Sequence, residues 1–316
     1  MNIKELEIKA TEVRCAIIKA LHAAGSGHPG GSLSSADIVT ALYFDEMNVD
    51  PKEPKMAGRD KLILSKGHVG PCQYAALAVR GFYPEEELLT LRKIGSKFQG
   101  HPNMHYVPGI EMSTGSLGQG FGAAGGMALA NKLDNDPGRI YVLLGDGELQ
   151  EGLVWEAAMS ASHYKLDNLV GIVDHNGLQI DGRNDDVMTV MPIAEKFEAF
   201  GWNVIKIDGH DMAQILDAFK QAREVKGKPT MIVAETIKGK GVSFMEGQAG
   251  WHGKAPNDEQ AEQALAELGA LLAEQKAAAE QATAAGQTAA EQATAAGQTA
   301  AGQTTAEQTQ SLQDEQ

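Results

Sequence analysis

The sequence has few cysteines and no long apolar run. Only Cys15 and Cys72 occur among its 316 residues, in unrelated contexts and without a CxxC pair. A disulfide framework is therefore excluded, and the cytosol is the expected location. The first residues, MNIKELEIKATEV, have mixed charge instead of the apolar core of a signal peptide, and no apolar stretch is long enough to span a bilayer.

Positive charge is also scarce. The chain has 27 Lys and Arg against 42 Asp and Glu, a formal net charge of −15, and no Lys/Arg-rich run. This balance argues against nucleic acid or an anionic membrane as the main partner, although a local basic pocket could still bind phosphate. A hydrophobic content of 43% allows one or two domains with a sizeable core.

Composition divides the chain into two parts. We predict a folded domain over residues 1–270 and an Ala/Gln/Thr-rich, low-complexity tail over 271–316. The segment EQATAAGQTAA at 280–290 returns identically at 291–301, and it contains no Leu, Ile, Val or aromatic residue that could be buried. The tail is therefore expected to be disordered or weakly helical, with no part in the chemistry.

Before the tail, the pattern is that of an α/β domain. Residues 3–22 predict an amphipathic helix, and segments such as VWEAAMSASHY and DMAQILDAFKQAREV predict helices between strands. The expected buried strands are IYVLL (140–144), LVGIV (169–173), NVIKI (203–207) and TMIVA (230–234). Continuous apolar strands alternating with helices indicate a doubly wound, mostly parallel sheet with helices on both faces.

Each of these strands runs directly into polar or glycine-rich sequence. The four continuations are GDGE, DHNG, DGHD and ETIKGKG. Because ligands of open α/β sheets bind outside the carboxyl ends of the strands, we expect the functional site at this edge.

The sequence contains the pattern of a dinucleotide-binding fingerprint without its structural context. GFGAAG at 120–125 matches G-x-G-x-x-G, and Asp146 follows at about the distance of a ribose-binding acid. The preceding GIEMSTGSLGQ is not a buried strand, so the context of a nicotinamide site is missing. We interpret these glycines as allowing a helix to pack closely against other backbone or a ligand.

Asp146 and Asn176 form a more informative pair. If the strands before them are neighbours, the Asp146 carboxylate, the Asn176 amide oxygen and a backbone carbonyl near Leu178 could converge. Such an all-oxygen set suits Mg²⁺, whose coordination is commonly completed by phosphate and water, and the Gly147 amide at a helix start would favour a phosphate. The alternative is that each residue stabilises its own turn.

Four histidines lie in loops of small residues. The loops are GSGHPGGSLS with His28, LSKGHVG with His68, FQGHPNM with His101 and AGWHGKAP with His252. Any one of them could be a simple turn residue, but together they predict loops that bring imidazoles to a ligand. No pair of these histidines has the HxxxH spacing that would indicate a metal site. Imidazoles can instead bind phosphate or hydroxyls and transfer protons near neutral pH.

Taken together, these motifs resemble a known family. SGHPGGSLS, SKGHVG, GHP, STGSLGQG, GDGELQEG and DHNGLQIDG occur in the order found in the N-terminal, diphosphate-binding part of transketolase, a thiamine diphosphate enzyme. The resemblance covers roughly residues 5–255. It implies transfer of a two-carbon ketol unit from a ketose phosphate to an aldose phosphate, with the chemistry supplied by the cofactor.

The resemblance also implies roles for individual residues. The expected ligands of Mg²⁺ are Asp146, Asn176 and the Leu178 carbonyl. The expected diphosphate contacts are His68, Gly147 and His252, and the cofactor rings would lie against Gly115 and Leu117. The expected substrate-channel residues are His28, His101 and His252. The carboxylates of Glu151 and Glu156 are expected to join paired active sites across a subunit interface. Glu151 is also expected to belong to the cofactor site. Glu148 has no assigned role.

Two departures from the family pattern matter. Gly115-Ser116-Leu117 stands where the family often has Gly-Pro-Leu. The pyrimidine-binding domain, whose glutamate activates the cofactor, has no counterpart here, since the low-complexity tail takes its place. The resemblance therefore implies one subunit of a split transketolase, with a separate C-terminal partner chain and a heterotetramer of two copies of each.

Two other functions remain open at this point. One is another thiamine diphosphate activity, such as that of 1-deoxyxylulose-5-phosphate synthase or of a sulfoacetaldehyde- or dihydroxyacetone-forming relative. The other is a non-catalytic binding or assembly module, which the missing domain would suit but which would not need four loop histidines.

Overall fold

Five strands form a central parallel sheet in the computed structural model, which describes residues 1–282. They are β1 (Lys61–Leu64), β2 (Ile140–Gly145), β3 (Leu169–His175), β6 (Asn203–Asp208) and β7 (Thr230–Glu235). Their order across the sheet is β1-β2-β3-β7-β6, and every neighbouring pair is parallel. A separate antiparallel pair consists of β4 (Leu178–Gln179) and β5 (Gly182–Arg183).

Helices cover both faces of this sheet. The α-helices are α1 (Ile3–Ala24), α2 (Pro29–Ser34), α3 (Ala36–Ala41), α4 (Gly70–Arg80), α5 (Gln119–Asp134), α6 (Gly152–His163), α7 (Asn184–Val187), α8 (Ile193–Ala199) and α9 (Met212–Glu224). Short 3₁₀ turns occupy Gly67–Val69, Glu85–Thr90, Gly147–Gln150 and Ala249–Trp251, and Leu42–Glu46 forms a π-helical turn. Within the described residues, no helix has both the length and the apolarity needed to cross a membrane.

The predicted fold class is confirmed, and so are the four predicted strands and the first helix. Helix α1 begins at a capping box, in which the Asn2 side chain accepts from the Glu5 amide and the Glu5 carboxylate accepts from the Asn2 amide. It ends at Gly25, whose φ of 63° suits glycine. Strand β1 was missed because its apolar run, Leu62 to Leu64, is too short to stand out from its polar neighbours.

The chain forms a compact unit over Met1–Leu272, and Ala273–Gln316 belongs to a second unit. Residues 258–282 are helical. The sequence analysis placed residues 271–282 in a disordered or weakly helical tail, and in the structure they are helical. The remainder of that predicted tail lies outside the described residues.

The packing of the core explains why the sequences of these strands are continuous apolar runs. Along β2, Tyr141 and Leu143 belong to one buried cluster, whereas Ile140, Val142 and Leu144 belong to another on the opposite face. Successive side chains of a strand point to opposite faces, so a sheet covered twice needs an apolar residue at every position. The same arrangement continues in β3 at the centre of the sheet.

Shortening a side chain of the central strand should destabilise the fold in proportion to the volume removed. Ile172 in β3 is fully buried. We expect Ile172→Val to cost about 0.5–1.5 kcal/mol and Ile172→Ala about 2–5 kcal/mol in free energy of unfolding, measured by urea denaturation. The fully exposed Ile94 provides the control, since Ile94→Ala should stay within about 0.5 kcal/mol of the parent. Equal effects at the two positions would contradict this account of the core.

Candidate functional site

A cavity of about 400 Å³ lies at the carboxyl ends of β1, β2, β3 and β7. The residues predicted from the sequence that line it are His28, His68, Gly115, Leu117, Asp146, Gly147, Glu151, Asn176, Leu178 and His252. His101 is not among the lining residues, although its ring centroid lies 6.4 Å from that of His28. The structure thus brings together segments that are far apart in the sequence at the edge where the strand ends predicted a ligand site.

Asp146 connects the loops that follow β2 and β3. Its carboxylate is 2% exposed and accepts hydrogen bonds from the amides of Gly147 (2.7 Å) and Gly177 (2.6 Å). The two loops meet because β2 and β3 are neighbours, with Gly145 in register with Asp174. Burial, and after it the charge of Asp174, raise the pKa of the Asp146 carboxyl above its ordinary value.

Asn176 and Leu178 lie beside this carboxylate in the loop after β3. The Asn176 side-chain oxygen accepts from the Leu178 amide at 3.2 Å, and its side-chain nitrogen donates to Asp174 at 3.3 Å. The Leu178 carbonyl accepts from the ammonium of Lys238 at 3.2 Å.

These residues fit a hard divalent cation. Their donors are a carboxylate, an amide oxygen and a carbonyl, the ligand types that Mg²⁺ prefers. Burial, and after it the charge of Asp174, raise the pKa of the Asp146 carboxyl, so its charged form is disfavoured and a bound cation would stabilise it. Residues 1–282 contain no group of three or more His, Cys, Asp or Glu side chains that could hold a metal ion.

The Gly147 amide is less open than the sequence suggested. It donates to the Asp146 carboxylate, and the helical turn that follows spans only Gly147–Gln150. A phosphate that used this amide would therefore replace a bond to Asp146.

A buried ion pair that sequence reasoning missed lies beneath the cavity. Asp174 is fully buried at the end of β3 and pairs with the ammonium of Lys66, which is 2% exposed. The carboxylate also accepts from the hydroxyls of Ser34 (2.6 Å), Ser35 (3.1 Å) and Thr236. Burial alone would raise the pKa of Asp174, but the charge of Lys66 and these hydrogen bonds hold it below its ordinary value.

Lys238 is a second buried cation that the sequence analysis did not select. It is 3% exposed, lines the cavity, and follows β7 in the glycine-rich segment ETIKGKG. Burial lowers the pKa of its ammonium group to about 8. The sequence pattern that could have identified Lys238 is a lysine among small residues just after a strand. Lys66 in SKGHVG shows the same pattern.

Glu148, which had no predicted role, holds three segments together. Its carboxylate is 2% exposed and accepts from the hydroxyl of Ser65 (2.5 Å) and the amides of Gly118 (2.7 Å) and Gly145 (2.9 Å). Burial raises the pKa of this carboxyl. Glu148 therefore fixes the GDG loop to the end of β1 and to the start of α5.

The four loop histidines form one cluster. The ring centroid of His28 lies 5.2 Å from that of His68 and 5.6 Å from that of His252, and the rings of His68 and His252 are 5.1 Å apart. Burial, followed by nearby positive charge, lowers the pKa of both His28 and His252 to about 4. The pKa values of His68 and His101 are also lowered, so the cluster consists of neutral imidazoles at neutral pH.

Glycines allow the loops to approach one another. A Cβ at Gly67 would lie 2.8 Å from the Gly115 amide nitrogen, and one at Gly120 would lie 2.6 Å from the Ser65 Cα. Gly120 belongs to the GFGAAG segment, which is part of α5. The interpretation of that segment as a close-packing helix is therefore confirmed.

Glu151 and Glu156 have exposed side chains at the start of α6. Glu151 lines the cavity and Glu156 does not. Their predicted role between subunits stays a prediction.

Comparison with known proteins gives the chain a family context. Residues 6–314 match the family model described as transketolase, thiamine diphosphate binding domain, a longer span than the motifs alone covered. The chain is 46% identical to the 6-deoxy-6-sulfo-D-fructose transketolase subunit SqwG of Clostridium sp. (strain MSTE9), over 84% of this chain and 96% of that protein. It is 43% identical to one of the subunits of the apulose-4-phosphate transketolase of Phocaeicola vulgatus, over 85% and 95% respectively.

The fold is similar to that of solved transketolases. A crystal structure of transketolase from Campylobacter jejuni subsp. jejuni superposes with a TM-score of 0.80 at 36% identity, covering 85% of this chain and 43% of that one.

Removing one member of the buried ion pair should destabilise the fold strongly. Lys66→Met leaves the Asp174 carboxylate buried without its cation, which we expect to cost about 3–5 kcal/mol in free energy of unfolding. Adding Asp174→Asn to that variant should recover part of this loss, because the unpaired charge is then absent. Lys240→Met, in a partly exposed pair with Glu246, is the control and should cost less than about 1 kcal/mol. Strictly additive losses in the double variant would show that the two side chains are not coupled.

The histidine cluster should make the fold less stable in mild acid. Below pH 6.5 the unfolded chain takes up protons at His28 and His252, whereas the folded chain does so only near pH 4. The free energy of unfolding should therefore fall as the pH decreases from 6.5 to about 4. His28→Gln should flatten this dependence, and the same change at His163, which lies outside the cluster, serves as the control. An unchanged slope for His28→Gln, measured by urea unfolding across this range, would refute the assignment.

Proposed function

Because the chain belongs to the transketolase family through its thiamine diphosphate-binding domain, we propose that it is the N-terminal subunit of a two-chain transketolase. The observation that carries this proposal is a difference in coverage. Two relatives named as transketolase subunits align over 96% and 95% of their length, whereas the transketolase from Campylobacter jejuni aligns over 43% of its chain. A separate chain would supply the pyrimidine-binding domain and its activating glutamate.

We propose that thiamine diphosphate is held at the cavity through Mg²⁺. Asp146, Asn176 and the Leu178 carbonyl would bind the cation, as their convergence and their oxygen donors support. The diphosphate would lie among His68, Gly147 and His252. Gly115 and Leu117 line the same cavity and would face the rings of the cofactor.

Two lysines missed by the sequence analysis strengthen this proposal. Lys66 and Lys238 bring positive charge to the cavity although the chain as a whole is strongly acidic. Buried ammonium groups favour an anionic ligand, because water does not screen them. Lys66 is paired with Asp174, so Lys238 is the ammonium group that remains to meet an anionic ligand in this otherwise acidic cavity.

The cofactor, when bound, supplies a carbon nucleophile and an electron sink for the transfer of a two-carbon ketol unit. The residues of this chain would bind and orient both ligands. His28, His101 and His252 would contact the hydroxyls of the sugar. Since the pKa values of these imidazoles are lowered, each can donate one hydrogen bond and accept another at neutral pH.

We further propose that the partner covers the mouth of the cavity. Ile180 lines the cavity and is 66% exposed, and Met188 and Val187 nearby are also exposed. Exposed apolar side chains grouped beside a ligand site indicate an interaction surface. Glu151 and Glu156 would lie between paired active sites in a cytosolic heterotetramer with two copies of each chain.

The donor would be a ketose phosphate, and the acceptor an aldose phosphate. The names of the two subunit relatives indicate that such sites serve a sulfonated ketose in one case and apulose 4-phosphate in the other. Exclusive decarboxylation of pyruvate by the reconstituted enzyme would instead favour the 1-deoxyxylulose-5-phosphate synthase-like alternative.

Ketol transfer should require both chains, Mg²⁺ and Asp146. The chain alone should show negligible transfer, and adding the partner chain with thiamine diphosphate and Mg²⁺ should restore it. Asp146→Ala should reduce activity by more than the roughly 10–100-fold that changes around metal ligands typically cost, with the circular dichroism spectrum unchanged. The exposed Asp217→Ala is the matched control. Undiminished transfer by Asp146→Ala, or by the parent complex in EDTA, would contradict the proposed cation site. It would favour a non-catalytic assembly role for this chain beside a catalytic partner.

A further inference from the structure

Asn184 has a buried amide group without a partner. The residue is 3% exposed, and neither its side-chain nitrogen nor its side-chain oxygen has a hydrogen-bond partner within residues 1–282. Buried amides are normally paired, because an unpaired one loses its hydration without compensation. Such a side chain is available to a bonding partner that arrives with a ligand, if a ligand site lies next to it.

The position of Asn184 identifies where that ligand would be. Its backbone amide donates to the Gly177 carbonyl at 3.0 Å, which ties it to the loop of Asn176. A Cβ at Gly147 would lie 3.6 Å from the Asn184 side-chain oxygen. The Asn184 amide also lowers the pKa of Asp146, although it lies outside hydrogen-bonding geometry with that carboxylate.

Asn184 is among the residues around a second cavity, of about 270 Å³, which shares Asn176 with the main cavity. It therefore lies beside the loop that would hold the cation.

We propose that the Asn184 side chain binds a water molecule carried by the cation at Asp146 and Asn176. This inference rests on the proposed function. Mg²⁺ retains water at positions that protein and phosphate do not fill, and such water is a strong hydrogen-bond donor. The Asn184 oxygen accepts from this water, and its N–H groups are available to donate to a phosphate oxygen beside the cation.

The chemistry of the side chain fits this role better than a role in packing. A leucine of similar shape would fill the same space without an unpaired polar group, so packing alone would favour the apolar residue. A carboxylate here would lie against Asp146 and raise the negative charge of an already buried site. The amide provides an acceptor for bound water without that repulsion.

Two variants of the full chain test this assignment. Asn184→Leu removes the hydrogen bonds and keeps the volume, so it should weaken cation binding about tenfold or more, as loss of residues that orient metal ligands typically does. Binding is measured from the free Mn²⁺ signal in electron paramagnetic resonance, with thiamine diphosphate and the reconstituted complex. The melting temperature of the cation-free chain should stay the same or rise.

Asn184→Asp separates this role from a merely structural one. It keeps the acceptor oxygen and adds a charge, so the cation-free chain should melt at a lower temperature while Mn²⁺ binding is retained. The control is Asn168→Leu, since the Asn168 side-chain oxygen is also buried without a partner within residues 1–282 but the residue lies outside both cavities.

The outcomes distinguish the two proposals. Unchanged Mn²⁺ affinity in Asn184→Leu would overturn the assignment, and so would a loss in Asn184→Asp as large as in Asn184→Leu. A parent complex that binds no Mn²⁺ with thiamine diphosphate would instead overturn the proposed function itself.

Discussion

The ion pair between Lys66 and Asp174 is the interaction on which the site depends. Asp174 lies near the end of the central strand, and its carboxylate gathers a lysine, three hydroxyls and the amide of Asn176 from four segments. Two unpaired charges at this depth would be strongly unfavourable, so the pair and its hydrogen bonds must form together. The loops that carry the predicted ligands are thereby fixed relative to the sheet before any ligand is present.

Charge in the cavity is arranged by depth. Carboxylates and ammonium groups lie at its base, where Asp146, Asp174, Lys66 and Lys238 are nearly inaccessible. The imidazoles lie further out and are neutral, because burial and the nearby lysines lower the pKa of His28 and His252. Charged groups at the base favour an ionic ligand, and neutral imidazoles can both donate hydrogen bonds to phosphate or hydroxyl oxygens and accept them from hydroxyls.

The sequence predicted most of the fold and many of the residues that line the cavity. Strand runs such as LVGIV are readable because both sheet faces are covered, and Asp146 and His28 are conspicuous because acids and histidines stand out among small residues. Lys66, Asp174 and Glu148 were missed because their importance lies in burial and in distant partners. Glu148 is one of several acids in GDGELQEG, and no local pattern reveals that it meets Ser65 and Gly118. The short β1 was missed because its pairing with β2, more than its own few apolar residues, makes it a strand.

The strand order has a consequence for synthesis on the ribosome. Strand β7 lies between β3 and β6, although β6 precedes it in the chain. Until Thr230–Glu235 emerges, one edge of β3 has no neighbour, and its apolar segment LVGIV is open to pairing with other chains. At roughly 5–20 residues per second, the translation interval between β3 and β7 is on the order of several seconds. During that interval, the unpaired edge of β3 makes the nascent protein prone to aggregation.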